Sequence, residues 1–175
     1  MASTPDLHTP HTSFTIPFPK SSVTSTTSTP TIRVGLLICW DLAFPEAFRE
    51  LAISCDAQLV IVPAFWRINK INPRVLALNQ QSEVTFLDSV AVARAYENTC
   101  AVAFCNAFGQ SQVAVPILGC LGKLGAEEEG MVSCEVDFEV VRFAEENYKV
   151  KKDTREEGWH YSRSATVLAI DGKAV

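Results

Sequence analysis

The distribution of apolar positions changes abruptly at Ile32. Before it, residues 1–31 contain fifteen Ser/Thr and five Pro, and the apolar positions reduce to one patch at Phe14, Ile16 and Phe18. So little to bury predicts an irregular arm, with one edge strand around Ser13–Pro17. Beyond it, Arg33–Cys39 (RVGLLIC) and Gln58–Val62 (QLVIV) are continuous apolar runs of strand length, the second closed by Pro63. Such runs predict strands buried on two faces. Between them Phe44, Phe48, Leu51 and Ala52 recur at helical spacing, with Pro45 in the first turn, where its missing N–H is tolerated. A strand, a helix and a strand in this order place the two strands parallel.

The pattern repeats downstream. Ser82–Asn98 carries Val84, Leu87, Ala91 and Arg94/Ala95 at helical spacing, with Ser82 as the candidate N-cap. Cys100–Asn106, Gln112–Pro116 and Met131–Asp137 are expected as three further strands, the last alternating more openly. Asp137–Asn147 follows as a short amphipathic helix, and the charged Lys149–Trp159 (KVKKDTREEGW) as a surface extension. The glycines of GCLGKLG lack the GK[ST] ending of a phosphate loop and predict an ordinary loop. The acidic run Glu127–Glu129 predicts a solvated turn. The sum is an α/β domain with its sheet covered by helices.

Composition narrows the partners. The 175 residues include 15 Lys+Arg and 20 Asp+Glu, a net charge of −5, without the basic field that nucleic acid or an anionic membrane requires. No apolar run reaches the roughly 20 residues of a membrane span, and no secretory leader pattern opens the chain. A soluble, cytoplasmic protein is expected. The six cysteines (39, 55, 100, 105, 120 and 134) form no CxxC or CxxH pair, so no metal site is expected. Five of them are expected to be buried free thiols.

Cys39 stands apart because it closes a strand and precedes a helix start, Trp40-Asp41-Leu42-Ala43-Phe44-Pro45-Glu46. In an open α/β sheet, ligands sit at the carboxyl ends of strands, and a strand-to-helix turn sets a side chain beside free backbone N–H groups. A thiolate is favoured there, and the amide after a nucleophile faces the charge that develops in acyl transfer. The plainer alternative is one more core cysteine at a strand end. Asp41 and Glu46 beside the thiol read either as catalytic acids or as carboxylates complementing the helix dipole. His160 could in principle pair with Cys39, but an isolated His in a charged tail is usually a surface residue.

GLLICWDLAFPEAFREL resembles the nucleophile segment of the carbon–nitrogen hydrolase (nitrilase/aliphatic amidase) superfamily: an apolar strand, I-C-[YW]-D, F-P-E and a helix. Leu87–Gly109 resembles that family's A-R-A-x-E-N helix with the strand and N-x-x-G that follow it. EEGMVSCEVDFEVVRFAEENYKVKKDTREEGWHY is similar to the family's end. The resemblance extends from about Phe14 to Tyr161 and is nearest to fungal members. It implies an α-β-β-α sandwich of the nitrilase type and a Cys-Glu-Lys triad acting on a small amide or nitrile through a thioester, with no cofactor and no metal. By position, Cys39 would be the nucleophile and the Trp40 backbone N–H the oxyanion donor. Phe65 and Trp66 would line the substrate pocket, Asp41 would be structural, and Glu97 would be a buried structural acid.

The family's general-base Glu and its Lys both precede the cysteine. Residues 1–31 contain no Glu, and their single lysine is Lys20, in a PFPKSS stretch similar to the region after the lysine loop. The loop after Asn106 is also shorter than the family's. The resemblance therefore implies the C-terminal portion of the sandwich only, in an N-terminally truncated member. Residues 1–31 form an arm, 32–161 a partial hydrolase domain and 162–175 a tail. Two functions follow as alternatives: a carbon–nitrogen hydrolase, or a catalytically inactive remnant acting as an interaction partner. The association expected is a homo-oligomer such as a homodimer, or pairing with a full-length relative.

Overall fold

The computed structural model describes residues 11–17, 31–68 and 70–159. Phe18, Lys20, His160 and the segment 162–175 lie outside the described residues, as does most of the arm. One six-stranded sheet organises the rest: β1 Ser13–Pro17, β2 Thr31–Leu36, β3 Leu59–Ala64, β4 Ala101–Asn106, β5 Gln112–Val115 and β6 Gly119–Lys123. Its spatial order is β1-β2-β3-β4-β5-β6. The central β2, β3 and β4 are parallel, and β1, β5 and β6 join antiparallel. The helices are α1 Pro45–Arg49, α2 Pro73–Leu78, α3 Ser82–Glu97, α4 Phe138–Tyr148 and α5 Val150–Arg155; a 3-10 turn spans Cys39–Ala43 and a π-type turn Glu50–Ser54.

The edge strand lies where the small apolar patch predicts it, pairing Phe14 with Val34 and Ile16 with Ile32. Parallel β2 and β3 follow from the strand–helix–strand grammar. Pro63, expected to end its strand, lies inside β3 opposite Cys105. The pairing of β2 with β3 finishes at Leu36–Ile61, so no neighbour on that side asks Pro63 for an N–H. The helix after Pro45 is α-helical for one turn and then widens into the π-type turn.

One face of the sheet carries the core. Val60 and Val62 of β3, Val102 and Phe104 of β4 and Ala114 of β5 pack with Leu37, Leu42, Phe48 and Leu51, and with Leu87, Ala91 and Ala95 of α3. Gly35 belongs to this face: a Cβ there would lie 2.8 Å from a Leu51 methyl, so the helical layer sits directly on the β2 backbone. By pairing and alternation the other face carries the rungs Val34–Leu59–Ala101, Leu36–Ile61–Ala103 and Pro63–Cys105. Val34 and Ala101 of its first rung are buried and Leu59 is half-buried, whereas Leu36, Pro63 and Cys105 are exposed. The described chain thus builds one sheet with a helical layer, which is one half of an α-β-β-α arrangement.

Several elements depart from the sequence pattern. The N-cap of α3 is Gln81 rather than Ser82, whose hydroxyl is buried. GCLGKLG forms a strand, because a hairpin turning through Ile117 (φ 68°) and Gly119 (φ 74°) lays it on β5. Met131–Asp137 alternates in burial as a strand would, yet it joins no ladder; Val132 and Cys134 turn inward onto Gly122. The charged extension is helix α5, and Lys151 within it is buried, with Nζ 3.5 Å from the Ala57 carbonyl and 3.8 Å from Asp56. Of the cysteines only Cys100 is buried; Cys105 and Cys120 are exposed and the other three half-buried. Strand positions on an open face and at a sheet edge account for the two exposed thiols.

Candidate active site

The carboxyl ends of β2, β3 and β4 converge because the three strands are parallel. Beyond β2 the chain stays with β3 for one more residue, through Leu37 N–H donating to Ile61 O at 3.1 Å, and then breaks into the 3-10 turn. Cys39 opens this turn with φ 50°, the left-handed region, which costs an L-residue about 1–2 kcal/mol. A non-glycine outlier between strand and helix is the geometry that lifts a side chain clear of the sheet. Cys39 is half-buried against the core. A 3-10 ladder leaves its first amides without internal acceptors, and here those belong to Cys39 and Trp40.

Asp41 sets the entry to the turn. Its carboxylate accepts from Ile38 N–H at 2.9 Å while its own N–H donates to Ile38 O at 3.0 Å. Glu46 lies exposed in the first turn of α1. The Trp40 ring is exposed and lies 5.1 Å, centroid to centroid, from Trp66, with Phe86 6.5 Å from Trp40 and 5.8 Å from Trp66. Trp66 itself is buried, so it forms the base of this aromatic wall rather than its surface. Glu83 accepts from its indole N–H at 2.9 Å. Asn106 accepts from Trp66 N–H at 2.7 Å and donates to the carbonyls of Trp66 and Gly109, both at 2.9 Å.

Phe65, by contrast, is 69% exposed and meets Phe108 edge-on at 4.6 Å. Arg67 covers the Phe108 ring at 5.2 Å. Beside this pair opens a cavity of about 490 Å³ lined by Arg67, Lys70, Phe108, Gly109 and the Glu127–Glu129 turn. Cys39, Phe65 and Trp66 all lie outside its lining; Phe65 reaches it only through its contact with Phe108. Glu128 accepts from Gly125 N–H at 2.7 Å and holds that turn in place.

Glu97 is half-buried rather than buried. It accepts from Arg94 at 2.7 Å, and the Arg94 side chain, 10% exposed, is the buried member of the pair. Arg94 also donates to Leu42 O at 3.2 Å and Ala43 O at 3.0 Å, with its guanidinium 5.8 Å from the Phe48 ring centroid. Arg49 donates to the Glu97 carbonyl at 2.9 Å, tying α1 to the end of α3. Arg94, Glu83 and Asn106 are site-shaping residues that pattern reading did not assign. A charged residue on the apolar stripe of α3 was the available signal for Arg94.

Two other thiols are held in the neutral form. Burial pushes Cys100 up to about 12, and burial raises Cys105 as well. Cys55 donates to the His11 carbonyl. Among the described residues no group of three or more His, Cys, Asp or Glu side chains could hold a metal ion, and no helix is long and apolar enough to cross a membrane.

A half-buried thiol raised on a left-handed turn at the ends of parallel strands defines an α/β architecture with its candidate site at the strand ends. Residues 5–146 match the family model described as carbon-nitrogen hydrolase, and the chain belongs to that family. It is 30% identical over 125 residues to a protein of Schizosaccharomyces pombe named as a probable nitrilase, covering 66% of this chain and 41% of that one. It is 27% identical over 134 residues to a 2-oxoglutaramate amidase of Bacillus subtilis, covering 72% and 46%. The chain thus spans less than half the length of these relatives. Among solved structures, a carbon-nitrogen hydrolase from Helicobacter pylori superposes with a TM-score of 0.58 at 20% identity, over 71% of this chain and 46% of that one, a likeness of fold.

Proposed function

We propose that this chain carries the nucleophile half of a carbon–nitrogen hydrolase site, with Cys39 attacking the carbon of a small amide or nitrile. In the amide case the Cys39 sulfur adds to the carbonyl carbon, and the oxygen takes the negative charge beside the Trp40 N–H. The C–N bond then breaks, ammonia leaves with the thiol proton, and the thioester is hydrolysed to the acid. The observation that carries this reading is the left-handed Cys39 at the head of the 3-10 turn, with the turn's first amides beside it. Trp40, over Trp66, offers the flat wall for the substrate. Water attack and proton transfer call for a base and a cation, and the sequence before Cys39 offers no glutamate and one lysine, Lys20.

The test is intact-mass labelling with 2-chloroacetamide, comparing wild type with Cys39→Ala, followed by ammonia release from a panel of amides and nitriles. Labelling at Cys39 about tenfold faster than at exposed Cys105 and Cys120 is expected, since alignment of reacting groups alone contributes that much. Uniform labelling of all three would sink the reading.

A second reading is favoured by the exposed Leu36, Pro63 and Cys105 on the open sheet face. Here the chain associates through that face, with a copy of itself or with a full-length relative that supplies a base and a lysine. Light scattering over a dilution series checks it: a mass fixed at that of the monomer, with no binding to a full-length relative, excludes it. A cytoplasmic setting is part of the proposal, consistent with six free thiols. A fluorescent fusion found in another compartment would refute it.

A further inference from the structure

The left-handed Cys39 needs its surroundings to hold it, since a residue in that region relaxes wherever the chain is free to do so. The turn it heads is fastened at both ends. At the entry, Asp41 takes the Ile38 N–H. At the exit, the carbonyls of Leu42 and Ala43 are among those a helical turn leaves without internal donors. Leu42 is completely buried, so water is not a substitute partner for its carbonyl. Arg94, arriving from α3, donates Nε to Leu42 O and Nη2 to Ala43 O, while Nη1 meets Glu97.

A guanidinium that is 10% exposed is costly to bury, and its five donors must be satisfied to offset that cost. Only a planar fork reaches two successive carbonyls and a carboxylate at once, and a lysine ammonium lacks that geometry. We infer that Arg94 is the positioning residue of the nucleophile turn, with Glu97 orienting its guanidinium. Arg94 touches no reacting atom. It acts through the backbone of Leu42 and Ala43 on the angle at which Cys39 and the Trp40 amide are presented. This assignment rests on the reading of Cys39 as nucleophile.

The experiment measures the labelling of Cys39 by 2-chloroacetamide relative to Cys120 in the same molecule, in Arg94→Lys, Arg94→Ala, Glu97→Gln and, as a matched core truncation on the same helix, Val90→Ala. The ratio is expected to fall at least about fivefold in both Arg94 variants and about twofold in Glu97→Gln. In Val90→Ala it stays at the wild-type value. In Arg94→Ala, guanidinium chloride far below denaturing concentration restores the ratio, whereas sodium chloride does not. A merely structural role would not produce that rescue.

An unchanged ratio in the Arg94 variants, an equal fall in Val90→Ala, or no rescue by guanidinium overturns the assignment. If Arg94→Ala does not fold, Arg94→Lys and Glu97→Gln decide by the same ratio. Labelling reads the turn without turnover, so the two ideas fail separately: unselective labelling of wild type ends the nucleophile reading, and selective labelling indifferent to Arg94 ends this one.

Discussion

Cys100 and Cys39 are chemically identical side chains separated along the chain by β3 and helices α1 to α3, and their surroundings differ. Cys100 is fully buried, and burial holds its thiol in the neutral form up to about pH 12. In the unfolded chain a thiol ionises near pH 8.5. Between those values the unfolded state has released a proton that the folded state retains, so stability falls as pH rises, by about 1.4 kcal/mol per pH unit from this group. Urea denaturation of wild type and Cys100→Ala across pH 8–11 is expected to diverge by that slope, with parallel behaviour below about pH 8. Equal slopes throughout would refute the burial argument. The strand-to-helix turn at Cys39 was legible because an apolar run followed by C-W-D and F-P-E is a local signal. The grip of Arg94 on Leu42 and Ala43 was not, because it joins residues more than fifty positions apart through backbone carbonyls, which carry no side-chain signature.

At the scale of elements, legibility followed burial. The buried β2, β3, β4 and α3 carry periodic apolar patterns, and their placement agrees with expectation to within two residues except at the end of β2, where Leu36 stands for the expected Cys39. Strand β6 was missed because GCLGK has little strand propensity, and it pairs because β5 presents it with a partner. Helix α5 was missed because its charged face dominates the text. What holds it is Glu145, whose carboxylate accepts from the N–H groups of Lys151 and Lys152 and from the Thr99 hydroxyl. Lys149, at φ 55°, turns the chain between α4 and α5 and brings that carboxylate to the helix start. Glu145→Ala should cost about 1–2 kcal/mol, in the range of a lost helix cap. Hydrogen exchange localises the effect: the amides of α5 lose protection while those of α3 keep theirs. Equal loss in both helices would mean that Glu145 supports the whole fold instead.

For the whole molecule, the asymmetry of the sheet is decisive. One face is sealed by α1 and α3, and the other is covered at Val34 and Ala101 and exposed at Leu36, Pro63 and Cys105. Apolar side chains in contiguous rungs favour association, and a charge placed among them opposes it. Leu36→Lys is therefore expected to shift the mass seen by light scattering toward the monomer, with the midpoint moving to about tenfold higher concentration for a loss of roughly 1.4 kcal/mol. An unchanged profile would place any association elsewhere.

The spatial order of the six strands repeats their order along the chain, without a single strand inserted between earlier neighbours. Each strand therefore finds its partner already synthesised, and none must wait for a later segment to fill a gap beside it. The chain can assemble its sheet during translation, edge first, from β1 towards β6. Once α3 and β4 have left the ribosome, the nascent chain holds the cysteine turn and its buried arginine in the same layer. The turn at Cys39 and the arginine that holds it thus lie within a stretch whose sheet partners, β2, β3 and β4, follow one another along the chain.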